Sequence, residues 1–171
     1  MMKYLIVVDM QNDFIDCNLA NDMAKIIVTD VARFARNFDG EVIFTKDTHT
    51  EDYLNTQEGR YLPVEHCIRG TWGWQFCPDI YLLTKNKRVV EKNTFGSLDL
   101  PYELADVTKD DEIHLCGICT DICVISNAMI LKAFFPETKM FVHASLCAGV
   151  TEQSHKNALE AMRAVQIEIV D

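Results

Sequence analysis

Six short apolar runs rich in β-forming residues recur along the chain, at Tyr4–Val8, Val42–Thr45, Arg88–Val90, Ile113–Leu115, Met140–Val142 and Ile167–Val170, with helical patterns in most of the gaps. Strands that alternate with helices pair in parallel, because each helix serves as the crossover between neighbours, and the sheet is then covered on both faces. The expected fold is α/β: a three-layer, doubly wound, six-stranded parallel sheet. Met23–Phe38 places Ile27, Val31, Phe34 and Phe38 on one helical face, and Asp121–Phe135 is strongly apolar until Pro136 stops it. Thr151–Val165 opens on a Thr-x-x-Ser start and turns Ala158, Ala161 and Met162 inward, and Pro101–Val107 fits a short helix. No repeat, low-complexity tract or linker interrupts the 171 residues, so one domain, 1–171, is expected.

With 16 basic against 26 acidic residues, a net charge of −10 and no basic stripe, nucleic acid and anionic membrane surfaces are poor partners. The opening MMKYLIVVDMQNDF has an apolar run that ends at Asp9, too short for a signal peptide or a membrane span. Seven cysteines, an odd number without the dense spacing of a secreted scaffold, read as free thiols in a reducing compartment, so a cytoplasmic location is expected.

Residues 47–80 break the rhythm. They hold Gly59, Pro63, Gly70, Gly73, Pro78 and both tryptophans without a sustained period, and a loop that long inside a domain is more often functional than idle. The unusual polar residues fall where strands end: Asp9 after the first run, Asp47 and His49 after the second, Lys92 after the third, Cys119 and Cys123 after the fourth. In a doubly wound sheet these ends share one edge, where ligands bind at the switch in strand order.

The segment Gly117-Ile118-Cys119-Thr120-Asp121-Ile122-Cys123-Val124 lies at such an end. With Thr120 as N-cap, Cys123 falls in the first helical turn, where unpaired N–H groups and the helix dipole favour a thiolate and supply donors for an oxyanion. Cys123 is the candidate nucleophile, expected as a thiolate of lowered pKa; the plain alternative is a small buried apolar residue. Lys92 supplies a cation for that thiolate, and Asp9 a carboxylate that takes its proton and passes it to the leaving group. Singly, Asp9 reads as an acid capping a βα turn and Lys92 as a solvated strand end; jointly, at one sheet edge, they read as catalytic.

Asp47-x-His49 with His66 forms a second constellation. A carboxylate and two imidazoles from one loop suit zinc, manganese or iron, with positions left open for water or substrate. Glu58 and Asp52 are additional candidate ligands, and Cys67 is a weaker one, since neighbours in sequence rarely both point into one site. An N-cap aspartate with exposed histidines is the competing reading. Cys116-x-x-Cys119 can be read as a redox pair, making a thiol-redox protein the alternative of a different class, although Cys116 sits in a strand run and a redox motif exposes its first sulfur at a helix start. His114, His143 and His155 read as strand and helix-surface residues.

Taken together, the segments Val8–Phe14, Thr45–His49, His66–Gly73, Glu91–Phe95 and Gly117–Val124 resemble the isochorismatase-like cysteine hydrolases, and among them the nicotinamidase branch. The resemblance spans nearly the whole chain in the family's order. It implies a triad of Asp9, Lys92 and Cys123, a cis peptide between Ile118 and Cys119, and an oxyanion hole from the N–H groups of Cys119 and Cys123. It further implies a divalent metal, zinc before manganese or iron, on Asp47, His49 and His66 with Glu58 as a further ligand, and Phe14 as the pocket aromatic. Because isochorismatases proper lack the nucleophilic cysteine, Cys123 points to hydrolysis of a small carboxamide, nicotinamide first among them, through a thioester. Family members form homo-oligomers, though no stretch here identifies an interface. One departure concerns the substrate: Pro63 stands where nicotinamidases usually place a ring-stacking tryptophan.

Overall fold

The structure, a computed structural model, describes residues Met1–Asp171. In chain order it contains β1 (Lys3–Val8), α1 (Asn12–Ile15), α2 (Asp22–Asn37), β2 (Glu41–Asp47), α3 (Gln57–Tyr61), α4 (Pro78–Tyr81), β3 (Arg88–Lys92), α5 (Leu100–Glu103), β4 (Glu112–Ile118), a π-helical turn (Thr120–Val124) running into α6 (Ile125–Phe134), β5 (Lys139–Ala148), α7 (Glu152–Ala164) and β6 (Glu168–Val170). The strands form a six-stranded sheet in the order β3-β2-β1-β4-β5-β6, parallel throughout. From the central pair the chain winds outward in both directions, and right-handed crossovers put α2 and α4 on one face and α5, α6 and α7 on the other. The switch in strand order lies between β1 and β4. Asp9 follows the first of these strands and Cys119 the second.

All six expected strands form, several of them longer than their apolar runs. β2 and β3 reach Asp47 and Lys92, so both residues are the last of their strands, and the register pairs them directly. β5 runs to Ala148 because the β4–β5 register shifts between Leu115 and Gly117 and pairing then resumes at Gly117 with Cys147.

The helices differ from expectation in which residues they bury. In α2, capped by Asn21 through Met23 N and Ala24 N, the inner stripe is Ala24, Ile27, Val31, Ala32 and Ala35. The small residues bring the helix close to the sheet, while Phe34 and Phe38 lie half-buried at its margin. In α7 the Thr151–Ser154 capping box forms, but Leu159 turns inward with Ala158 and Met162, and Ala161 is exposed. α5 is shorter than expected, because the chain turns after Glu103 with Val107 N donating to Leu104 O. No helix is long and apolar enough to cross a membrane.

The long excursion after β2 is tied down by the segment after β1. Gln11, fully buried, donates through Nε2 to Asp47 O at 2.8 Å and Trp74 O at 2.9 Å, and its Oε1 accepts from Asp47 N at 2.7 Å. Asn12 donates to Trp72 O, and the Asp13 carboxylate accepts from Cys67 N at 2.7 Å. A loop that reads as irregular is thus held by three consecutive buried polar side chains, each satisfied by backbone.

Contrary to the surface reading, His143 is only 9% exposed. It packs on Phe34, and its Nε2 lies 3.0 Å from His114 Nδ1; His114 stacks on Phe141, meets Phe38 edge-on and has Glu112 at its other nitrogen. Burial first, then the neighbouring His114, pushes His143 down to about 4. A histidine whose folded pKa lies below its ordinary ~6.5 is held neutral by the fold, so its contribution to stability is complete above that value and is lost as pH falls toward 4. The melting temperature is expected to drop between pH 6.5 and 4 by a clearly smaller margin in His143→Phe than in the wild type; equal drops would contradict this reading.

Candidate active site

Asp9 adopts a left-handed backbone conformation (φ 49) at the end of β1, a region that aspartate tolerates better than most residues. Its Oδ1 accepts from Thr45 Oγ1 at 2.6 Å, and its Oδ2 lies 2.6 Å from Lys92 Nζ. The latter is a close ion pair in a fully buried position. Lys92 Nζ also lies 3.3 Å from Asp47 Oδ1 and 3.5 Å from Cys123 Sγ. One ammonium therefore touches two carboxylates and the thiol, with the Lys92 and Asp9 side chains 1% and 0% exposed.

The thiol arrives from β4. Gly117 has φ 116, and a β-carbon there would come within 2.7 Å of Val8 N, so only glycine lets β4 run this close to the end of β1. The Ile118–Cys119 peptide bond is cis. The π-helical turn follows, with Val124 N donating to Cys119 O at 3.0 Å. The helical geometry begins one residue earlier than the sequence suggests: Cys119 is the N-cap residue, and Thr120, already inside the turn, does not cap it. The Thr120 hydroxyl instead lies 2.8 Å from His155 Nδ1 on α7. Cys123 remains in the first turn.

The lowered pKa expected for Cys123 meets an opposing influence in its burial. Burial raises its pKa well above the ordinary value, the Asp9 and Asp47 carboxylates add to this, and Lys92 opposes them without prevailing. Burial also raises Asp9, against the pull of Lys92, while Lys92 is itself raised, against its burial, by Asp9, Cys123 and Asp47. The arrangement places the sulfur, a carboxylate and a fixed ammonium within reach of one another.

Beside this group stand Asp47, His49 and His66, all buried, with one donor atom each within 4.8 Å of the others. His49 Nε2 and His66 Nε2 lie 3.1 and 3.6 Å from Asp47 Oδ2. His66 Nδ1 is 2.8 Å from Val64 O; a carbonyl only accepts, so Nδ1 carries the proton and the Nε2 lone pair faces the cluster. Tyr53, fully buried, packs its ring at 4.8 and 4.9 Å from the two imidazoles. Burial alone would raise Asp47, but the hydrogen bond with His49 and the Lys92 charge bring it well below the usual carboxylate range. Three converging donors of nitrogen and oxygen type, one with its tautomer fixed, fit a divalent transition metal. Glu58 Oε1 is 3.7 and 3.6 Å from the two imidazoles but stands outside the three-donor cluster.

Not every candidate belongs here. Asp52 is exposed and bonds Asn55, and Cys67 faces Gln11 Nε2 at 3.3 Å with its thiol raised by burial. Cys116 is fully buried within β4, where burial raises its thiol well above the ordinary value, unlike an exposed redox sulfur at a helix start.

A narrow inner cleft of about 60 Å³ is lined by Phe14, Asp47, His66, Cys119, Cys123 and the wall residues Leu62, Phe95 and Ile122. It adjoins an outer cavity of about 770 Å³ that shares Glu58, Leu62, Phe95 and Ile122 and adds Thr48, Thr50 and Tyr61. Pro63 is exposed and lines neither cavity; Leu62 lines both. Trp72 is 65% exposed, and Trp74 lies under Lys46 Nζ, 3.1 Å from its ring centroid, with its Nε1 donating to Thr48 Oγ1. The sequence reading passed over Gln11, Thr45 and Tyr53, which hold these groups in place.

The chain is similar to known proteins over nearly its full length. The nicotinamidase/pyrazinamidase of Mycobacterium tuberculosis is 28% identical over 99% of this chain and 98% of its own. The crystal structure of a nicotinamidase/pyrazinamidase from Bacillus subtilis superposes with a TM-score of 0.82 at 26% identity, covering both chains completely. That of a pyrazinamidase/nicotinamidase from Streptococcus mutans does so with a TM-score of 0.85 at 25% identity, over 98% of this chain and 99% of that one. The isochorismatase domain model matches residues 3–171, and the chain belongs to the isochorismatase family.

Proposed function

We propose that this protein is a cysteine amidohydrolase that converts a small carboxamide, nicotinamide foremost, to the acid and ammonia. The observation that carries the reading is the single ammonium of Lys92 held between Asp9 and Cys123, whose sulfur lines the same inner cleft as Asp47 and His66 of the three-donor cluster. The naming of the similar proteins agrees with this substrate class.

In the proposed reaction the Cys123 thiol gives its proton to Asp9 as sulfur attacks the amide carbon, and Lys92 stabilises the sulfur while it carries charge. The N–H groups of Cys119 and Cys123 receive the oxyanion. Asp9 then passes the proton to the departing nitrogen, the C–N bond breaks, and ammonia leaves a thioester on Cys123. Water attacks the thioester with Asp9 taking its proton; the C–S bond breaks, and the proton returns to sulfur. In this sequence the proton leaves sulfur as the C–S bond forms, with Asp9 as its acceptor.

Asp47, His49 and His66 would hold a divalent metal, zinc before manganese or iron. When bound, it supplies a Lewis-acid site for an aromatic ring nitrogen. Phe14, whose ring lies 5.7 Å from that of His66, walls the same cleft, so a flat ring is confined between the donor cluster and the thiol. The substrate part of this reading is tested by comparing nicotinamide with benzamide, which keeps the shape and lacks the nitrogen, on enzyme supplied with zinc. Benzamide is expected to show kcat/KM lower by about a hundredfold, the order of one lost strong positioning contact. His49→Ala should reduce nicotinamide use toward the benzamide level and leave Cys123 open to alkylation. Equal use of the two amides would reject the ring-nitrogen role and point to another amide.

A further inference from the structure

Asn127 lies on α6, one helical turn past the nucleophile, and is fully buried. Its side chain joins two separate parts of the site. Through Nδ2 it donates to Cys123 O at 2.8 Å and, more weakly, to Phe95 O at 3.4 Å, while its Oδ1 accepts from Ser97 N at 2.9 Å. Phe95 and Ser97 belong to the segment that leaves β3 directly after Lys92, and Phe95 lines both the inner cleft and the outer cavity. A second feature brings the same two segments together. A β-carbon on Gly96 would stand 2.6 Å from Ile130 Cδ1 and 3.0 Å from the Ser126 carbonyl carbon, so the loop lies directly against α6.

We propose that Asn127 is a positioning residue, locking the turn that carries Cys123 to the Phe95–Ser97 segment and so fixing the nucleophile against the wall on which the substrate rests. The inference rests on the amidohydrolase reading of the site. Its physical basis is satisfaction of buried backbone. Cys123 O and Ser97 N are polar groups out of reach of each other, and one planar amide with a donor and an acceptor side serves both. A carboxylate lacks the donor, and an aliphatic residue would leave Ser97 N without this partner.

The two bonds are separable by substitution. In Asn127→Ala both are lost. In Asn127→Thr the hydroxyl can still donate to the carbonyl four residues back, Cys123 O, but cannot reach Ser97 N. For nicotinamide hydrolysis, Asn127→Ala is expected to lower kcat about tenfold and raise KM several-fold, within the range that small misplacements produce. Asn127→Thr is expected to recover kcat to within about threefold of wild type while KM stays raised, because only the substrate wall is loosened. Rates are taken per folded protein from circular dichroism and melting curves. A purely structural role predicts something else: both parameters unchanged once folding is accounted for, or Thr no better than Ala. Either result overturns the proposal, as does failure of both variants to fold. If the wild type releases ammonia from no amide, the functional reading fails by itself, and peptide-resolved alkylation of Cys123 by iodoacetamide then decides: a rate changed at least threefold in Asn127→Ala and restored in Asn127→Thr supports the positioning role, and identical rates in all three proteins overturn it.

Discussion

Replacing Cys123 with alanine is expected to reduce ammonia release from nicotinamide by at least about a thousandfold, because without the sulfur no covalent intermediate forms and the remaining groups offer only binding and an oxyanion site. The fold should survive. The substitution deletes one atom from a position that faces a cleft, and the packing of α6 rests on Val124, Ala128 and Leu131. Steady-state assays with circular dichroism of the same preparation check both parts, and a folded Cys123→Ala protein with a tenth of wild-type turnover would end the assignment.

Asp9→Asn is expected to lower kcat by about a hundred- to ten-thousandfold, the range for loss of a general acid and base. An amide keeps the shape and can still accept from Thr45 Oγ1, but it cannot take the thiol proton. The variant should also lose stability, since the Lys92 ammonium is buried and would retain only the Asp47 carboxylate at 3.3 Å. Separating the two effects requires turnover at a temperature where the variant is folded. Raising the pH should not restore activity, because Lys92, Asp47 and the remaining groups provide no replacement acceptor at Asp9 Oδ2. Near-normal turnover in folded Asp9→Asn would assign the proton to another group.

Much of the architecture was legible because its signals are local. β1 and β4 are apolar runs of a length that fits a buried strand, and each is followed by a residue whose chemistry is hard to explain in a core. The gathering of Asp9, Asp47, Lys92 and Cys123 at one edge followed from the parallel topology alone. What remained hidden depended on tertiary contacts. Thr120 looks like an N-cap, but the turn starts at Cys119, and the hydroxyl meets His155, far along the chain. The influence that raises the thiol's pKa is burial, which places two carboxylates and a desolvated sulfur around one lysine; a helix start in solvent would act in the opposite direction. Gln11 and Asn127 give no periodic signal, since a polar residue within an apolar stretch shows its purpose only when its backbone partners are known. The histidines on β4 and β5 looked exposed because the covering residues, Phe34 and Phe38, belong to α2.

The central claim is that the acyl group passes through Cys123, and rapid-quench mass spectrometry tests it most directly. Enzyme mixed with excess nicotinamide, quenched in acid within the first turnovers and digested, is predicted to carry a nicotinoyl group on the peptide containing Cys123 and on none of the peptides bearing the other six cysteines, with the adduct absent from Cys123→Ala. Ammonia release that proceeds in the wild type while Cys123→Ala turns over equally well, with no acyl group on the Cys123 peptide at any quench time, would contradict the account.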